Sequence, residues 1–140
     1  YTIFTGPTRQ VMRVRFSWHR PGKLDAAAMN TAAQSLVGTH DFKSFASAAD
    51  RRQSSTRTVF FCTVVESGAD TIQIDIEADG FLYNMVRNIV GTLVEIGRGR
   101  WPVEKMAEIL AMRDRTAAGP LAPACGLCLM KIDNQKETRP

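Results

Sequence analysis

Histidine, cysteine and long apolar runs are all scarce in this chain. Two histidines in 140 residues leave little material for catalytic triads or metal sites. No Ser/His/acid order, P-loop, Rossmann glycine pattern or zinc ligand set is present. Three cysteines, Cys62, Cys125 and Cys128, are an odd number without framework spacing. Free thiols in a reducing compartment are therefore expected, not a disulfide scaffold. Cys125-Gly126-Leu127-Cys128 matches a C-x-x-C pattern, but no second pair completes a zinc site, and the motif runs into an apolar stretch instead of opening a helix. Core packing is the expected role of these thiols. No window reaches the roughly 18 uninterrupted apolar residues of a membrane span; the densest run is broken by Asn84, Arg87 and Asn88. No signal peptide is expected. The first residue is a tyrosine inside a strand-like run, Tyr1-Thr2-Ile3-Phe4, which suggests a fragment of a longer protein.

What is there is an ordinary globular composition. Hydrophobic content of 44% and charged content of 23% suit a single domain. That domain is expected over residues 1–133, with a disordered polar tail at 134–140. The net charge of +4 is a mild basic bias, compatible with a polyanionic partner and equally with a merely soluble surface.

Periodicity orders the chain. Met12, Val14, Phe16 and Trp18 alternate with Arg13, Arg15 and Ser17, the pattern of a half-buried strand with a basic outer face. Asp25 is a good N-cap for a helix to about Val37, with Met29, Ala32, Ala33, Leu36 and Val37 inward and Gly38 as its stop. Residues 38–57 read as a long irregular connection, opening with a compact turn pinned by Phe42 and Phe45. A hairpin follows: Arg57 to Glu66 is apolar on both faces, residues 67–70 turn, and Ile72, Ile74 and Ile76 alternate strictly with polar residues. Pro102 suits the first turn of a helix reaching about Met112, with Met106, Ile109 and Leu110 inward. Residues 117–124 form a Pro- and Ala-rich loop, and Leu127 to Ile132 a last short strand. This order predicts an α+β fold, a mostly antiparallel sheet with helices packed on one face.

The most apolar helix candidate spans residues 79–99, with Asp79 as N-cap and Gly97 as stop. Leu82, Val86, Ile89, Leu93 and Ile96 make one stripe, and Phe81, Met85, Val90 and Val94 widen it until little of the circumference is polar. Arg87 falls close to a buried face, on the row of Tyr83, Gly91 and Val94. A guanidinium there needs a partner, because an unpaired buried charge is very costly. A local salt bridge to Asp75 or Glu77 is one way to supply it.

Other polar groups carry weaker signals. His19 at a strand end reads as a surface residue, and His40 as a local hydrogen-bond donor in a turn. Asp75 and Glu77 sit on an outward strand face. Arg13 and Arg15, the loop residues Arg51, Arg52 and Arg57, and the glycine-spaced Arg98 and Arg100 beside Trp101 could neutralise phosphates, with the tryptophan stacking on a base. Scattered surface charge explains the same spacing equally well.

Three motifs in order narrow the field. Gly38-Thr39-His40-Asp41-Phe42 with Ser44-Phe45 comes first. Phe81 with Met85-Val86-Arg87-Asn88, Gly91 and Gly97 follows. Asp114-Arg115-Thr116 with Pro123-Ala124 and Gly126-Leu127-Cys128-Leu129 closes the set. Together they closely resemble the C-terminal half of the tRNA pseudouridine synthase A (TruA) family, from Tyr1 to about Asp133.

The resemblance implies an enzyme that isomerises uridine to pseudouridine in the tRNA anticodon stem-loop, without a cofactor, as a homodimer in the cytoplasm. Two similar halves join their sheets around a cleft. An aspartate in a Gly-Arg-Thr-Asp motif of the N-terminal half acts on the uridine sugar. By this match Arg87 pairs with that aspartate, and Leu127, with Met85 and Val86, lines the uridine pocket. Tyr1 matches the second tyrosine of a Tyr-x-Tyr strand, whose first member packs on the base. Arg51, Arg52, Arg98 and Arg100 are the expected RNA contacts. No Gly-Arg-Thr-Asp occurs here, and Arg113-Asp114-Arg115-Thr116 has the letters in the wrong order. The isolated chain is therefore expected to be inactive. A non-catalytic RNA-binding module and a dimerisation domain of the same fold stand as alternatives.

Overall fold

Two runs of alternating residues build the middle of the sheet. In the structure, a computed structural model describing residues 1–8, 10, 16–47, 50 and 54–132, β4 (Thr56–Glu66) pairs antiparallel with β5 (Thr71–Ala78). The turn between them places Gly68 and Asp70 at positive φ, 83° and 59°. Ile72 and Ile74 point into the core, as their alternation predicts, and Asp75 is exposed. β4 turns Val59, Cys62 and Val64 inward, but Phe61 and Val65 are 41% and 50% exposed. The expectation of a strand covered on both faces is thus corrected. Among the described residues helices cover one face only, and a register irregularity between Val59 and Phe61 shifts the phase of the side chains.

β1 (Thr2–Phe4) lies antiparallel on β5, and β2 (Trp18–His19) lies parallel on β1. β3 (Gly38–Asp41) closes the far edge antiparallel to β4, giving the order β2-β1-β5-β4-β3. The expected strand at 11–18 is described only from residue 16 onward; Arg13 and Arg15 lie outside the described residues. Phe16, expected inward, is 74% exposed, and Ser17, expected outward, is buried. Residues 16 and 17 bend before the ladder begins, so the alternation does not extend through them. His19 is half-buried, not on the surface: its Nε2 bonds to the Gly6 carbonyl oxygen at 2.8 Å and its ring packs on Phe4.

β3 also departs from expectation, because residues 38–41 were to belong to an irregular connection. Gly-Thr-His-Asp has no apolar alternation to advertise a strand. Gly38, at φ 105°, redirects the chain, and the backbone ladder from Gly38↔Val59 to Asp41↔Thr56 holds it. A 3₁₀ turn at Lys43–Phe45 follows, and Phe42 and Phe45 are fully buried, so the expected phenylalanine pin is present.

Three α-helices among the described residues pack on the inner face. α1 (Ala26–Ala33) starts at Asp25, whose side chain accepts from the Ala28 N–H at 3.0 Å, a cap that contributes about 1 kcal/mol. Its end tightens into a 3₁₀ turn, Gln34–Leu36, and Val37 leaves the apolar face, 38% exposed. α2 (Met85–Gly97) is buried along most of its circumference and packs against α1. Gly97 marks the close approach to α1: a Cβ there would sit 2.5 Å from the Met29 sulfur, and that side chain would have to shift. α3 (Lys105–Met112) buries Met106, Ile109 and Leu110, as its periodicity predicts.

Leu127 to Ile132 is not a strand. Among the described residues it pairs with no other strand, and Leu129, Met130 and Ile132 are 70%, 83% and 68% exposed. Apolar character alone does not make a strand without a ladder. The expected tail at 134–140 lies outside the described residues. No helix among the described residues is long and apolar enough to cross a membrane.

Candidate functional site

The entry to α2 is a sharp corner, not a smooth helical start. Asp79 does not cap the helix; its Oδ1 accepts from the Thr58 N–H at 2.9 Å and belongs to the sheet. The chain then turns through Leu82, whose carbonyl accepts from the Met85 N–H, and reaches Asn84 at φ 61°. Asparagine tolerates this left-handed conformation better than most residues. The Asn84 side chain makes no capping bond and instead accepts from Arg87 Nη1 at 3.3 Å.

Arg87 is half-buried one turn into α2. Its Nε donates to the Ala122 carbonyl oxygen at 2.7 Å, and its own backbone carbonyl accepts from the Ala122 N–H at 3.1 Å. Ala122, fully buried, thus grips the residue at two points. Both side-chain acceptors are neutral, and no carboxylate among the described residues pairs with Arg87. The local salt bridge to Asp75 or Glu77 does not form; Asp75 instead accepts from the Gln73 amide on the outer sheet face.

Close backbone contact puts Ala122 there. Residues 119–122 lie along the Arg87–Gly91 row of α2. A Cβ on Gly91 would stand 1.6 Å from the Pro120 carbonyl oxygen, and one on Gly119 would stand 2.9 Å from the Gly91 carbonyl oxygen. The Gly119 N–H donates to Thr92 Oγ1 at 2.9 Å, and that hydroxyl donates to the Asn88 carbonyl at 2.8 Å. Arg115 Nη1 donates to the Gly119 carbonyl at 3.1 Å. Asp114, part of the rejected Arg-Asp-Arg-Thr run, organises this turn. Its Oδ1 accepts from the Thr116 N–H and hydroxyl, and those bonds hold its carboxyl below the usual carboxylate range.

The first motif of the sequence braces the same helix. Asn88, buried, donates through Nδ2 to the Phe45 carbonyl at 2.7 Å. Ser44 donates to the Ile109 carbonyl at 2.6 Å and accepts from the Asp114 N–H. Asp41 accepts from Ser55 Oγ and the Lys43 N–H and pairs with Arg113. His40 Nε2 bonds to the Val37 carbonyl oxygen at 2.9 Å, the local role expected of it.

The remaining expected site residues divide into two places. Met85 is in the core, 1% exposed, directly ahead of half-buried Val86. Leu127 is 42% exposed just after a 3₁₀ turn, Ala124–Gly126. That turn lies against Tyr1, whose phenol donates to the Pro123 carbonyl next to Ala122. Arg98 and Arg100 sit beyond the other end of α2, the nearer of them about 16 Å of helix rise from Arg87. Both reach Glu95, at 3.5 and 3.3 Å, while Lys105 lies over the Trp101 ring. Arg51 and Arg52 are outside the described residues. Their neighbour Asp50 accepts from the Tyr83 N–H at 2.7 Å, which ties residue 50 to the entry of α2.

Cysteine placement corrects one expectation. Cys125 and Cys128 are exposed, not core residues. Gly126 faces inward so closely that a Cβ would sit 2.5 Å from the Tyr1 ring and 2.9 Å from the Thr2 carbonyl oxygen. Its cysteine neighbours are exposed, although the Cys125 thiol donates to the Ser17 carbonyl at 3.4 Å. Cys62 is the buried thiol, and burial pushes its pKa up to about 12. No group of three or more His, Cys, Asp or Glu among the described residues could hold a metal ion.

Sequence reasoning finds Arg87 but misses Asn84, Thr92 and Ala122. Asn84 and Thr92 are small polar residues in an apolar run, a usable signal. Ala122 acts through its backbone, which leaves no mark in the sequence.

Comparison with known proteins places this arrangement. The family model described as tRNA pseudouridine synthase matches residues 32–133. The chain is 47% identical over 132 residues to a tRNA pseudouridine synthase A from Acidiphilium cryptum, covering 94% of this chain and 51% of that protein. It is 47% identical over 133 residues to one from Moorella thermoacetica, covering 95% and 54%, and 44% identical over 132 residues to one from Pelobacter propionicus, covering 94% and 54%. The chain spans about half the length of the curated relatives it matches. With a matched region that takes in the Phe42–Phe45 brace, the Arg87 helix and the 119–122 segment, the chain belongs to the tRNA pseudouridine synthase family.

Proposed function

We propose that this chain is the C-terminal part of a tRNA pseudouridine synthase that isomerises uridine to pseudouridine in the anticodon stem-loop. Its role is to supply Arg87 as the cationic partner of a catalytic aspartate carried by the N-terminal half of the same enzyme. The observation that carries this reading is the state of Arg87: half-buried, oriented by two neutral acceptors, and paired with no carboxylate among the described residues. A cation so held keeps an incoming carboxylate ionised and fixes its direction. Leu127 and Val86 form the wall of the uridine pocket, with Met85 behind Val86 in the core. Arg51, Arg52, Arg98 and Arg100 contact tRNA phosphates. The enzyme works as a cytoplasmic homodimer without a cofactor, and these 140 residues alone, which contain no Gly-Arg-Thr-Asp, are inactive.

The test is Arg87→Ala in the full-length protein. Turnover falls by on the order of 10²–10³-fold, the usual loss when one charge-stabilising donor is removed, while the dissociation constant for tRNA is nearly unchanged. Normal turnover would overturn the assignment.

A further inference from the structure

The hydrogen bonds of Arg87 leave one approach open. Nε is occupied by the Ala122 carbonyl oxygen and one Nη1 proton by Asn84. A carboxylate can meet a guanidinium through Nε and Nη2 from the side, or through Nη1 and Nη2 from the end. With Nε taken, the side is closed; Nη2, which makes no hydrogen bond to the described residues, leads the end that remains. The acceptor that closes it is not free to move. Ala122 sits two residues from Pro120, whose carbonyl is pressed onto Gly91, and three from Gly119, whose N–H is held by the Thr92 hydroxyl. Thr92 is itself fully buried and fixed by its bond to the Asn88 carbonyl.

We propose that Thr92, with Gly91 and residues 119–122, is a positioning device that rotates Arg87 so that it engages the catalytic carboxylate end-on. Thr92 touches no reacting atom; it acts through Gly119 and Ala122. The proposal rests on the assignment of Arg87 made above. It differs from that assignment in predicting that a hydroxyl five residues further along the helix controls how well the arginine works.

The experiment uses the full-length protein with Thr92→Val, Thr92→Ser and, as a reference, Arg87→Ala. Valine keeps the shape and loses the acceptor for Gly119. The kcat of Thr92→Val falls about tenfold, as expected for a displaced catalytic group, with tRNA affinity unchanged. The acid limb of its kcat/KM profile moves to higher pH, because a carboxylate with a displaced cation is protonated more easily. Thr92→Ser, which restores the hydroxyl, recovers turnover to within about twofold and returns the acid limb to its original pH. A purely structural role would lower the melting temperature and leave the pH profile in place. Should Thr92→Val not fold, Thr92→Cys, with a weaker acceptor of similar size, is read against the same two outcomes. Unchanged kcat and pH profile in the valine variant, with Arg87→Ala inactive, overturns the positioning role and leaves the arginine assignment standing. So does a serine variant as impaired as the valine one. Full activity of Arg87→Ala overturns the underlying assignment instead.

Discussion

At the scale of single residues, Arg87 shows how position on a helix can be read while partners cannot. Its row was legible because Arg87 and Gly91 stand four apart in an apolar run, and helical periodicity puts them on one face. What covers that row was not legible, since the decisive acceptor is a backbone oxygen of Ala122. The cysteines teach a related lesson. Composition treated all three alike, but Gly126 turns inward against Tyr1 and leaves Cys125 and Cys128 outside. Burial keeps the Cys62 thiol protonated up to about pH 12, and a thiol is unreactive without its thiolate. Native alkylation of the chain at neutral pH therefore labels Cys125 and Cys128 quickly and Cys62 only after unfolding. Mass spectrometry of the modified peptides checks this; fast labelling of Cys62 would contradict its placement.

At the scale of elements, the hairpin and the three helices were readable because each carries its own periodic signal. β5 alternates without a break, and Asp25 marks the start of α1 by residue type alone. β3 carries no such signal, being held by a ladder to β4 that only the folded chain supplies. The start of α2 was set too early because Asp79 looks like a cap, whereas the left-handed corner at Asn84 decides where the helix begins. The least visible element is the 119–122 segment, which has no regular structure yet lies in backbone contact with α2. Gly91→Ala tests that contact. Its Cβ would stand 1.6 Å from the Pro120 oxygen, so helix and segment must separate. Overpacking of this kind costs about 1–3 kcal/mol. Chemical denaturation of the variant measures it, and a stability equal to wild type would show that the segment is not seated where described.

For the whole molecule, the α+β layer with helices on one face followed from the order of elements, but the uncovered face did not. Phe61 and Val65 made β4 look buried on both sides, and among the described residues helices lie on only one. The mild basic excess was too weak to locate a surface. The structure separates the expected site arginines that it describes, with Arg87 at the entry of α2 and Arg98 and Arg100 beyond its end. If the latter pair meets tRNA phosphates, binding by the full-length protein weakens steeply with salt, and Arg100→Ala lowers the slope of log affinity against log salt. A slope indifferent to this substitution removes the pair from the RNA surface.

Glu95 sets how large that change can be. Its carboxylate is 7% exposed and is shared by both arginines. A buried anion cannot be abandoned by its cations without a large penalty. If the pair meets tRNA, an arriving phosphate therefore enters an exchange, taking one arginine while the other stays with Glu95 as its counter-ion. Although two positive side chains stand at this corner, RNA bound there would then release about one equivalent of its condensed counter-ions, not about two. On that reading Glu95 is a resident competitor for any polyanion that meets the corner.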